Sequence, residues 1–183
     1  MRARAFAAIL AAAAFWGPSD ADQVISGKSV EFVVPSASPV RFKAMAQYDV
    51  ANFDGEFVIT ARYRYGYLTN DPERDAKYGT LELKFEPEPT FAKQLPYVKS
   101  YGPVKELFFE NPDDFIKAAI PASELKRLKE RALYSISGTA TVRLDRYKAW
   151  DECGAPYYYV HFLALERPPQ IQVSQNVEEE DGC

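Results

Sequence analysis

Three tyrosines, Tyr63, Tyr65 and Tyr67, stand at alternate positions of one run, with Arg62 and Arg64 interleaved. On a strand that spacing puts the three rings on one face and the two guanidinium groups on the other. Rings exposed along a sheet beside arginine make a platform on which sugars or bases stack. Buried, the same rings continue the apolar series Ile59 and Ala61 into a core, with their hydroxyls reaching its rim. Core filling is the plainer expectation for them. As a candidate ligand-binding surface the set is Tyr63, Tyr65, Tyr67, Arg62 and Arg64.

Other residues capable of chemistry assemble no recognisable centre. The one histidine, His161, shares an alternating face with Tyr157, Tyr159, Leu163 and Leu165, so it is expected as a hydrogen-bonded packing residue. Cys153 with His161 would be a nucleophile and base only if the thiol were free to ionise. Cys153 and Cys183 are instead the expected disulfide, closing a loop of about 30 residues for roughly 3 kcal/mol in the chain-entropy model. A reactive Cys153 or an intermolecular bridge through Cys183 is the alternative.

Structural zinc takes four Cys or His ligands, and only three such residues are present. Asn70, Asp71, Glu73 and Asp75 crowd one loop, but not at EF-hand spacing and without its turn glycine. No metal and no cofactor is therefore expected, and no catalytic residue is assigned. No phosphate-binding glycine loop or Gly-x-Ser-x-Gly elbow occurs. Carboxylates scattered along the chain, as glycoside hydrolysis uses, would leave no local signature.

The compartment sets how the cysteines read. Arg2 and Arg4 precede an apolar run from Ala5 to Trp16, then Gly17, Pro18 and the small-residue exit Ser19-Asp20-Ala21. That is the layout of a secretory signal peptide cleaved after Ala21, and a run of about 12 is too short to span a membrane. A periplasmic or secreted location follows, where disulfides persist. Loss of Arg2, Arg4 and Asp20 moves the net charge from −4 to −5, which disfavours nucleic acid as a partner. No later stretch is long and apolar enough to be a membrane span.

These residues are carried by period-two segments: Val30 to Val34, Val40 to Tyr48, a long strand from Glu56 to Leu68, Thr80 to Glu86 paired with it as a hairpin, and Val104 to Glu110. Asn52, Asp54 and Gly55 read as a turn. Asn111-Pro112-Asp113-Asp114 supplies an N-cap, a first-turn proline and two acids for a helix to Ala119. A second helix runs from Ala122 to Leu133, with Lys126, Arg127, Lys129 and Arg131 as a solvated face. Ser135 to Lys148 and Tyr157 to Leu165 are further strands, joined by a turn-rich Trp150 to Pro156, and Pro168 and Pro169 end the last one.

The expected fold is thus mainly β with one or two short helices (α+β), a single domain over residues 22–170 with an acidic, flexible tail at 171–183. Element order matches an OB-like five-stranded barrel, and a β-sandwich with a helical insertion is the alternative. The expected function is an exported, non-catalytic binding domain for a saccharide, a cell-envelope component or a protein partner. A hydrolase with scattered carboxylates and a structural or stress-related envelope protein are the other two classes.

Overall fold

Around Arg146 the longest strand among the described residues reverses its inward face, and much of the architecture follows from that step. The computed structural model describes residues 21–67 and 81–175. Among them are eleven strands: β1 (Gln23–Ser26), β2 (Glu31–Val34), β3 (Arg41–Met45), β4 (Ala51–Asp54), β5 (Phe57–Tyr67), β6 (Leu81–Pro87), β7 (Tyr97–Val98), β8 (Phe108–Phe109), β9 (Ser135–Glu152), β10 (Ala155–Leu165) and β11 (Gln170–Ser174). Three short helices accompany them, α1 (Pro89–Ala92), α2 (Pro112–Ala119) and α3 (Ala122–Lys129).

β9 organises the larger, eight-stranded sheet. It pairs with β5 and β11 along its first half, with β10 along its second, and with β4 at Ala149 and Lys148. Before Arg146, the residues Ala140, Val142 and Leu144 point inward; after it, Tyr147 and Ala149 do. Arg146 has φ +52° and is the extra residue where the β9–β10 register shifts, so it acts as a bulge that changes parity. Leu163 is the compensating extra residue on β10, where Phe162 faces Leu144 and Ala164 faces Arg143.

The small sheet, β1-β2-β7, covers part of this inner face. Two aromatic centres fill the space between the layers. Tyr147 packs edge-on against Phe53 and Phe57 and stacks on Tyr158. Phe115 of α2 contacts Tyr63, Phe85, Phe109 and Phe162. Burial of each such ring is worth roughly 1.5–3 kcal/mol. Tyr147 Oη donates to the Pro96 carbonyl at 2.6 Å, and the Val98 amide donates to Tyr158 Oη at 3.1 Å, so both layers are stitched by buried hydrogen bonds.

Several expectations change at this point. The α+β, mainly β character holds, but in place of five strands closing into an OB-like barrel there are eleven strands in two sheets, and the larger sheet stays open. Asn52 and Asp54 lie in β4 rather than in a turn. Val104 to Glu110 yields only the two-residue β8.

β9 continues through Trp150 to Glu152, and the connection to β10 is the pair Cys153-Gly154, with φ of +54° and +81°. That is the positive-φ pair of a tight hairpin turn. α3 stops at Lys129, where Arg131 takes the left-handed position usually filled by glycine and the Ala132 amide donates to the Arg127 carbonyl. Gln170 and residues 171–174, the latter expected in the tail, form β11 against the start of β9; they fit there because Gly138 lets the Gln170 carbonyl approach to 2.2 Å of where a Cβ would stand.

Candidate functional site

The predicted tyrosine set divides between core and surface. Tyr63 is 3% exposed, its ring edge-on to Phe115, and its hydroxyl has no hydrogen-bond partner. Burial pushes that phenol up to about 12. Tyr67 is also buried; its hydroxyl donates to the Leu128 carbonyl at 3.2 Å and the Arg131 guanidinium lies 4.7 Å above its ring. Only Tyr65 is half-exposed, its phenol raised by burial first and by Asp113 second. Arg62 is ion-paired with Glu86, and Arg64 donates to the Tyr67 carbonyl. The five residues therefore do not form one exposed platform, because α2 packs over the face that the tyrosines share.

A different aromatic group is exposed. On the outward face of β8, β10 and β9, Phe108 stacks on Tyr159 at 5.4 Å, and Trp150 stacks on Tyr159 at 4.9 Å and on Tyr157 at 5.7 Å. All four rings are half-buried. Cross-strand aromatic pairs of this kind contribute about 0.5–1.5 kcal/mol each. The Arg146 bulge is what brings Trp150 to this side, a shift that strict period-two reading of β9 misses. Lys148, paired with Glu110, and His161, whose Nδ1 lies 2.9 Å from Asp145 Oδ1, flank the strip.

Beside the strip, a groove of about 280 Å³ opens between β6 and β8. Tyr65, Leu83, Phe108 and Tyr159 wall it, Ile116 of α2 floors it, and Glu82 and Asp113 are also among its lining residues. Asn111 fixes α2 beneath it. The sequence reads Asn111 as an N-cap, but its side chain makes no capping bond. It reaches instead to β10, accepting from the Phe162 amide at 2.8 Å and donating to the Phe162 carbonyl at 3.0 Å. β8 ends at Phe109, which leaves the Phe162 backbone groups on that edge of β10 for Asn111.

Nucleophilic chemistry finds no support in the geometry. Cys153 lies exposed in the hairpin turn, while His161 is eight positions along β10, roughly 25 Å of extended strand away. There is no disulfide among the described residues, and Cys183 lies outside them, as do the Asn70 to Asp75 loop and residues 1–20. Among the described residues no three His, Cys, Asp or Glu side chains converge as a metal site needs, and no helix is long and apolar enough to cross a membrane. No family model, no curated protein and no solved structure matches this chain.

Proposed function

We propose that the protein is an exported binding domain whose ligand docks in the groove between β6 and β8. The observation that carries this reading is the groove itself, walled by half-exposed Tyr65, Phe108 and Tyr159. An apolar cleft with a few polar groups at its margin is the usual form of a ligand site. Export rests on the Arg2, Arg4 and Ala5 to Trp16 pattern, and the ligand classes it implies are envelope saccharides and envelope proteins or peptides.

A thermal-shift comparison of the full chain against soluble peptidoglycan fragments, other oligosaccharides and peptides tests it. A ligand at about 100 times its Kd adds about 2.7 kcal/mol to stability. A shift abolished by Tyr65→Ala supports the reading, and no shift with any class refutes it. A second reading, a hydrolase, draws on Glu82 and Asp113 lining the same groove. Ligand turnover that is lost in Glu82→Gln or Asp113→Asn would select it over simple binding.

A further inference from the structure

The groove coincides with the line where the larger sheet fails to close, and the backbone on both sides of that line has a readable direction. On β5, the Tyr67 amide donates to the Tyr134 carbonyl on the β9 side, and the Thr60 carbonyl accepts from the Glu88 amide on the β6 side. Alternation then assigns the odd-numbered residues of β5 to β9 and the even-numbered ones to β6. With Gly66 opposite Glu82 and Arg64 opposite Lys84, the bonded residues of β6 are the even-numbered ones. Leu81, Leu83 and Phe85 consequently turn their N–H and C=O groups away from β5. The Phe85 carbonyl confirms the direction, since it accepts from the Leu107 amide at 2.8 Å.

On the opposite edge, the Glu110 amide donates to the Val160 carbonyl of β10, so Phe109 presents its backbone toward β6. The two edges are joined at Leu107 and Phe85. Beyond that bond, among the described residues, β6 pairs only with β5 and β8 only with β10.

We infer that this seam binds an extended peptide, which adds as a strand to the β6 edge at Leu81 and Leu83 and sets basic side chains against Glu82 and Asp113. The inference rests on the binding reading above and gives that site its ligand class. Outward N–H and C=O groups at every second residue match the repeat of an extended chain. An unpaired edge is a template for another strand, and here the template lies inside the groove whose walls supply side-chain contacts. Glu82 and Asp113 line the groove, and among the described residues no basic side chain does, so positive charge on the peptide is complementary.

The test uses the full chain and a pool of blocked six-residue peptides that alternate apolar residues with lysine. A second pool is identical but N-methylated on alternate amides, and peptidoglycan-derived oligosaccharides run in parallel. The expected result is a thermal shift with the first pool, lost on N-methylation, together with at least tenfold slower amide exchange at Leu83. The double variant Glu82→Gln, Asp113→Asn should bind about three- to tenfold more weakly, the scale of two partly exposed ion pairs. Equal binding by the N-methylated pool, or unchanged exchange at Leu83, overturns strand addition. A shift with oligosaccharides and none with peptides overturns it while the groove reading stands; no shift with any probe removes both.

Discussion

Four buried tyrosine hydroxyls allow a test in which the sign of the effect, and not only its size, comes from the structure. Tyr147→Phe removes a 2.6 Å bond and leaves the buried Pro96 carbonyl without its donor, at a cost of about 1–3 kcal/mol. Tyr158→Phe strands the buried Val98 amide for a similar cost, and Tyr67→Phe loses the longer bond to the Leu128 carbonyl, for about 1 kcal/mol. Tyr63→Phe has no bond to lose. It removes a hydroxyl buried without a partner, so it should stabilise by about 1 kcal/mol, net of the contacts that oxygen makes near Gly138.

For a chain of this length 1 kcal/mol moves Tm by about 2–4 °C. Guanidinium unfolding with an unchanged m-value is the assay. A Tyr63→Phe variant destabilised as much as Tyr147→Phe would refute the assignment, because the Tyr63 hydroxyl would then hold a partner. Titration gives a second readout. The folded-state pKa of Tyr63 and of Tyr158 is raised to about 12, mainly by burial, above the ordinary tyrosine value of 10. Their contribution is complete below pH 10 and declines as pH rises from 10 through about 12, and Tyr63→Phe should soften that decline.

Gly138→Ala would bring a Cβ to 2.2 Å from the Gln170 carbonyl and 3.0 Å from the Tyr63 ring, so a loss of about 1–3 kcal/mol and faster amide exchange throughout β11 are expected. Asn111→Ala deletes both bonds to Phe162 and should cost about 2 kcal/mol, measured by chemical denaturation, with weaker ligand binding because α2 floors the groove. Asp49 accepts from the Lys28 and Ser29 amides and the Ser29 hydroxyl, which hold its carboxyl below the usual range. Its folded pKa is depressed, so its stabilisation is present above about pH 4 and lost as pH falls through the folded value; Tm measured against pH should show a flatter acid limb in Asp49→Asn.

Strand periodicity was legible wherever one face is buried along an unbroken register. β5, β6 and their hairpin appear in the sequence because Ile59, Ala61, Tyr63 and Phe85 hold one parity throughout. β9 was legible only to Arg146, since a bulge leaves no mark in composition and exchanges the two faces beyond it. The aromatic strip was hidden for that reason: Trp150 and Tyr159 meet through a parity change and a cross-strand register. β7 and β8 are too short for a period, and β11 is mostly exposed, so each is set by its partner strand rather than by its own residues. The tyrosine triplet was correctly placed on one face, but whether that face was covered depended on α2, more than 40 residues away in sequence.

The span of β9 also dictates an order of assembly. Its hairpin with β10 closes through two residues, Cys153 and Gly154, whereas its ladder with β5 joins residues such as Thr60 and Thr141 that are 81 apart. A tight hairpin forms in about 1–10 μs, while distant pairing carries a larger loop-closure entropy and slows the whole reaction. The β9–β10 hairpin is accordingly expected to form first, with β5 docking later onto that template. Substitutions at Gly154 should then appear mainly in the folding rate, and those in the β5–β6 hairpin mainly in the unfolding rate.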